Sequence, residues 1–304
     1  MVLNQLRKLI ARYKQDDYIF PVESVIPCQM RQSETFNNRE SIEIEIFETE
    51  ESQKIGEPTA ILRGVLCKAI THGAPTLICA MGQSQNVEEA RQFIPVDIFH
   101  HLNIVLVNYR GYGVANGTKE EKSRGSTGKP SSKALQDDIL RVYDHVKEKF
   151  GLSNFYAVGV SLGCAVVTYL SKHRDIKGQL LIAPFDNMVN QACDFLQELL
   201  SVNTIDIEEV ENILEHPFDS LANMKRNKTP THVIRAGADT YVKPERTLNL
   251  IKHIKYMQNH IMIDHSPHDF DGANPHIRMA LRYAIGTIVT KFILDTVEKP
   301  KVET

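Results

Sequence analysis

The 304 residues carry 35 Lys and Arg against 38 Asp and Glu, a formal net charge of -3, with 42% hydrophobic and 24% charged side chains. Such values belong to a soluble globular chain able to bury a substantial core. They supply no basic field for nucleic acid, so no partner of that kind is expected.

The N-terminus, MVLNQLRKLIARYKQDDYIF, has no long apolar run of the signal-peptide or membrane-spanning kind. Leu3, Leu6, Leu9, Ile10 and Tyr13 recur at helical spacing among basic residues, which predicts a short helix in an extension covering residues 1–40. Packing on the domain explains this stripe, and peripheral membrane contact gives the same pattern. Residues 41–304 read as one domain. In SIEIEIFETE, Ile42, Ile44, Ile46 and Thr49 alternate with glutamates, the mark of a strand with one wet face. A second strand at 59–70 follows the turn Gly56-Glu57-Pro58, and antiparallel pairing is expected.

The rhythm then changes. TLICAMG, NIVLVNYRGYG, NFYAVGV, GQLLIAP, THVIRAGAD and HIMIDHS are short apolar strands, and most are followed by helical patterns. Helices are expected at 86–101, at 131–150 with Ser131 or Ser132 as cap, and from Leu162 onward. Alternation of this kind predicts an α/β fold with a mostly parallel sheet of about eight strands, covered by helices on both faces. Chemistry is then sought beyond the carboxyl ends of the strands. Two segments break the pattern: a charged loop at 114–125, where a protein partner could bind, and a small helical lid at about 187–226. Cys28, Cys67, Cys79, Cys164 and Cys193 form no CxxC pair, and no metal or cofactor is expected. Cysteine usage and the absence of an evident targeting segment give a cytoplasmic expectation.

Gly159-Val160-Ser161-Leu162-Gly163 lies between a strand and a helix. A serine on so sharp a turn is exposed above the sheet, and flanking glycines relieve the crowding. The plain alternative is a turn of small residues that packs closely. As nucleophile, Ser161 needs a base and an orienting acid in the order Ser, Asp, His. Asp239 follows THVIRAGAD, with Asp186 as the alternative acid. His268 stands past Pro267 in HSPHDFDG, with His265 as the alternative base nearer the strand. The N–H groups of Leu162 and Gln83 are the expected oxyanion donors. Phe185, Met188, Phe195 and Leu199 are candidates for an acyl-binding groove, and equally for the buried face that fixes the lid.

NYRGYG at 108–113, STGKPSSKALQDD at 126–138, LIAPFDNM, and HPFDSLANMKRNKTPTHVIRAGAD together resemble the Bem46-like and ABHD-type serine hydrolases of the α/β-hydrolase superfamily. The similarity runs from about residue 60 to 290. It implies the α/β-hydrolase fold, a catalytic triad of Ser161, Asp239 and His268, and oxyanion donors at Gln83 and Leu162. It also implies hydrolysis of a carboxylic ester or thioester of a small-molecule or lipid-like acyl group. A peptidase or amidase, or a hydrolase-like binding scaffold, is the alternative. The chain departs from the pattern at Met81-Gly82, where His-Gly is usual, at Ala236, where glycine is common, and in the charged segment 114–125.

Overall fold

The computed structural model describes residues 19–22, 39–87, 101–113, 118–119, 123–270 and 275–297. The expected N-terminal helix, nearly all of the helix at 86–101 and most of the charged loop lie outside them. Eight strands form one sheet: β1 (Arg39–Ile46), β2 (Ala60–Cys67), β3 (Thr76–Ala80), β4 (Asn103–Val107), β5 (Phe155–Val160), β6 (Gly178–Ile182), β7 (Thr231–Ala236) and β8 (Met257–Ile263). Their order is β1-β2-β4-β3-β5-β6-β7-β8. β2 runs antiparallel to both neighbours, and the pairs from β4 through β8 are parallel. β3, β4, β5 and β6 are short and almost wholly buried, as expected for strands covered on both faces. The chain passes from β3 to β4 on one side and returns to β5 on the other. That reversal opens a crevice beyond the carboxyl ends of β3 and β5.

The first strand ends sooner than its alternation suggests. Thr49 lies outside β1 and caps the short helix α1 (Glu50–Ile55), exchanging backbone-to-side-chain hydrogen bonds with Ser52. Thr and Ser at this spacing satisfy orphan helix N–H groups, so capping outweighs the apparent strand pattern. Helix α2 (Ser132–Phe150) is capped by Ser131, which accepts from the Ala134 N–H at 3.0 Å. Helix α3 (Leu162–His173) packs against β5 and is largely buried.

Three helices separate β6 from β7: α4 (Met188–Leu200), α5 (Ile207–Ile213) and α6 (Ser220–Met224). Only the first two form a cap with a small core of its own, built on Cys193, Leu196, Ile205 and Val210. Helix α6 returns to the body: Asn223 donates to the Thr168 hydroxyl and Met224 joins the main core. Helices α7 (Pro244–His253) and α8 (Pro275–Val297) complete the described elements. Among the described residues no helix is long and apolar enough to cross a membrane.

One buried group makes the fold acid-sensitive. His232 on β7 packs edge-on against Phe292 of α8, and its Nδ1 has no hydrogen-bond partner. Burial, reinforced by the nearby Lys291 charge and opposed by Asp295, lowers its pKa to about 4. The native state holds this ring neutral while the unfolded chain protonates it near 6.5. Its contribution is therefore complete above about pH 6.5 and is lost as pH falls toward 4. Thermal unfolding across this range should show a smaller fall in Tm for His232→Phe than for the parent chain.

Candidate active site

The strand-to-helix turn at the end of β5 explains why its residues are small. Ser161 adopts φ 50° and ψ -115°, a backbone region that side chains avoid. A Cβ on Gly159 would lie 2.6 Å from the Gly163 carbonyl oxygen, and one on Gly163 would lie 2.0 Å from that of Ala80. Neither space admits a methyl group. The Ser161 N–H donates to the Ile182 carbonyl at 2.8 Å, and the Ser161 carbonyl accepts from the Cys164 N–H at 2.9 Å. The hydroxyl thus emerges at the start of α3, above the sheet.

His268 meets it from the loop after β8. Its Nε2 is 2.8 Å from Ser161 Oγ, and its Nδ1 is 2.8 Å from Asp239 Oδ2. The other Asp239 oxygen accepts from the N–H groups of Tyr241 and Val242, at 2.9 and 2.8 Å. Asp239 is thereby fixed from both sides, with its side chain 5% exposed against 20% for His268. The histidine loop is pinned by buried Ser266, whose carbonyl accepts from the Ala238 N–H at 2.9 Å, and by Phe270 in the core. His265 and Asp186 take no part in this chain. Asp186 is fully buried and accepts from the Asn187 N–H, Asn190 and Asn249, which ties β6 to α4 and α7.

Gln83 lies in a turn after β3, in which the Gln85 N–H donates to the Gly82 carbonyl at 3.2 Å. Leu162 opens α3, with its side chain buried and its N–H in the first helical turn. Among the described residues neither of these two N–H groups has a hydrogen-bond partner. Two tyrosines of the NYRGYG segment brace the Gln83 turn. Tyr109 donates to the Met81 carbonyl at 2.7 Å, and Tyr112 donates to that of Gln83. Burial pushes both phenols upward in pKa, so both keep the proton they donate. Arg110 between them forms a buried fork to Asp138 of α2, at 2.7 Å through both Nε and Nη2, and reaches Glu48 at 2.8 Å. The tyrosine roles went unread in the sequence, although the phenols' positions in NYRGYG were visible there.

An open pocket of about 200 Å³ lies over Ser161 and His268, bounded by the Gly82–Gln85 turn, Val160, Tyr241 and Asp269. The four residues expected along an acyl groove lie elsewhere. Phe185 and Met188 are buried in the main core, Phe195 packs on the small core of the cap, and Leu199 is exposed on α4. The apolarity of the first three serves packing, which side-chain type alone does not distinguish from ligand contact. Both departures in the resembling segments have a local account. Met81 is buried with its carbonyl held by Tyr109, and the backbone crowding near Ala236 falls on its neighbour Gly237, whose added Cβ would meet the Ile263 oxygen at 2.8 Å. Among the described residues no group of three or more His, Cys, Asp or Glu could hold a metal ion.

Solved structures share this architecture. The esterase PF2001 of Pyrococcus furiosus aligns with a TM-score of 0.62 over 88% of this chain and 98% of that one, at 14% identity. Est1E of Butyrivibrio proteoclasticus, with ferulic acid bound, aligns with a TM-score of 0.56 over 79% of this chain and 97% of that one, at 17% identity. The chain has the α/β-hydrolase fold. In sequence, the chain is similar to human Protein ABHD12B, 28% identical over 127 residues, which are 40% of the chain and 32% of that protein. The chain thus matches about a third of that relative's length. No family model matches it.

The packing of the turn makes a direct prediction. Gly163→Ala should lower the denaturant midpoint by the equivalent of about 3 kcal/mol, because backbone must move to admit the methyl group. Gly151→Ala, at a left-handed helix end with nothing within 4 Å of the added Cβ, should lose only about 1 kcal/mol.

Proposed function

We propose that this α/β-hydrolase cleaves a carboxylic ester or thioester through a covalent acyl-enzyme at Ser161. The observation that carries the reading is the unbroken hydrogen-bonded chain from Asp239 through His268 to Ser161, with both links at 2.8 Å. His268 Nε2 takes the Ser161 proton as Oγ attacks the acyl carbonyl, and it returns that proton to the departing alcohol or thiol. Asp239 holds the Nδ1–H tautomer and steadies the imidazolium as it forms. A water deprotonated by the same histidine then releases the acid and restores the serine. The negative oxygen of each tetrahedral intermediate is received by the Gln83 and Leu162 N–H groups; loss of one such donor typically costs about 3 kcal/mol.

The bracing of the Gln83 turn by two protonated tyrosines supports this assignment, because an oxyanion donor works only when it is held before the charge develops. Residence in a reducing compartment such as the cytoplasm belongs to the same proposal. It is supported by Cys67, Cys79, Cys164 and Cys193, which are free and buried. A protein partner at the charged loop, 114–125, rests on that segment's composition alone.

A fluorophosphonate probe should label the parent chain and fail to label Ser161→Ala. A folded parent chain that resists the probe would count against an activated serine. Asp239→Asn should retain the fold while losing roughly 10³- to 10⁴-fold in kcat, because the ring is then held in the wrong tautomer. Steady-state ester hydrolysis and a thermal melt on the same sample check both parts.

A further inference from the structure

The pocket's walls carry more information about the substrate than the fold does. Its volume of about 200 Å³ is small. A cavity of about 150 Å³ holds one benzene, so the space directly over Ser161 matches roughly eight heavy atoms. Most small-molecule sites are larger, at roughly 300–1,000 Å³. Gln83, Ser84, Gln85, Tyr241 and Asp269 supply most of the lining, and Val160 is its aliphatic member. Phe185 and Met188, two long apolar side chains from the segment after β6, lie in the main core. Among the described residues, no long aliphatic side chain lines the pocket beside Ser161.

Tyr241 walls one side of that space. Its ring lies 5.1 Å from the His268 ring, tilted by 35°, and its hydroxyl accepts from Gln83 Nε2 at 2.8 Å. Gln83 belongs to the turn after β3 and Tyr241 to the acid loop after β7, so this hydrogen bond ties opposite sides of the pocket together. The cap holds Tyr241 in turn. Gln191 of α4 donates to the Tyr241 carbonyl at 2.5 Å, and Asp194 of α4 binds Arg246 at 2.5 and 2.7 Å and Lys243 at 3.1 Å. Burial raises the Asp194 pKa, but the hydrogen bonds and charges of Arg246 and Lys243 outweigh it and leave the carboxyl below its usual range. The anchor is thus charged at neutral pH, and a chain that outgrows the pocket must break a held contact.

Resting on the serine-hydrolase reading of the same site, we propose that the substrate is an ester or thioester of a short acyl group, about six carbons or fewer, and that Tyr241 is the residue that sets this length. Esters from p-nitrophenyl acetate to decanoate, compared by kcat/KM, test it. The parent chain should favour acetate to butyrate and fall at least about tenfold by octanoate. Tyr241→Ala keeps the backbone N–H that holds Asp239, and it should raise the octanoate-to-acetate ratio about fivefold or more. Tyr241→Phe, which removes only the bond to Gln83, should raise the ratio by less. Labelling of Ser161 by a small fluorophosphonate, measured in parallel, reads the serine itself. Labelled protein with a profile flat or rising to decanoate, or with a ratio unchanged in both variants, overturns the short-acyl proposal and leaves the hydrolase reading standing. Neither labelling nor turnover in the folded parent chain overturns both.

Discussion

At the end of β5 the backbone must reverse within one residue, and Ser161 makes that turn at φ 50° and ψ -115°. Holding a non-glycine residue there costs about 1–3 kcal/mol, which surrounding packing has to offset. The two flanking glycines make the offset attainable. Because Gly163 has no side chain, the first turn of α3 can lie against the Ala80 carbonyl of β3. Because Gly159 has none, the strand can pass beneath the Gly163–Cys164 backbone. A helix N-terminus is thereby brought up to the end of the neighbouring strand, and the turn holding Gln83 borders the same pocket as Ser161. The parallel order β3-β5-β6 is what places these strand ends side by side.

The remaining parts of the site are loops, and each is tied down by hydrogen bonds that have little to do with the chemistry itself. Asp239 is gripped by two backbone N–H groups of its own turn. The loop bearing His268 is joined to the Asp239 loop through Ala238 and Ser266. The Gln83 turn hangs from Tyr109 and Tyr112, and the segment carrying those tyrosines is anchored in turn by Arg110 on Asp138 and Glu48. Removing one partner of a buried ion pair leaves an uncompensated charge, so Arg110 and Asp138 act on the site through the fold. The cap adds a separate clamp through Asp194 on α4.

Much of this was legible in the chain. Buried strands of five or six residues followed by amphipathic helices specify a covered parallel sheet, and the spacing of Gly159, Ser161 and Gly163 specifies a turn that other residues could not make. Ser131 announced the start of α2 through its capping chemistry. Other features were hidden because one local pattern serves two structures. Thr49 continues an alternating strand on paper, yet it caps a helix once Ser52 is near. Phe185 and Met188 are equally suited to a core or an acyl groove, and only the path of the chain decides between them. Within the segment 187–226, α4 and α5 share a small core of their own, while α6, though continuous with them in sequence, packs on α3. Order along the chain favoured Asp239 over Asp186, but the three donors that occupy Asp186 appear only when α4 and α7 have folded onto β6.

The proposed reaction carries the acyl group through a covalent bond to one particular oxygen, that of Ser161. Rapid acid quench after mixing the chain with p-nitrophenyl acetate, followed by digestion and peptide mass spectrometry, observes that bond directly. An acetyl adduct on Ser161 should appear with the first turnover and decay as water releases it. Acetate production with no transient adduct on Ser161, or an adduct confined to another side chain, would contradict it.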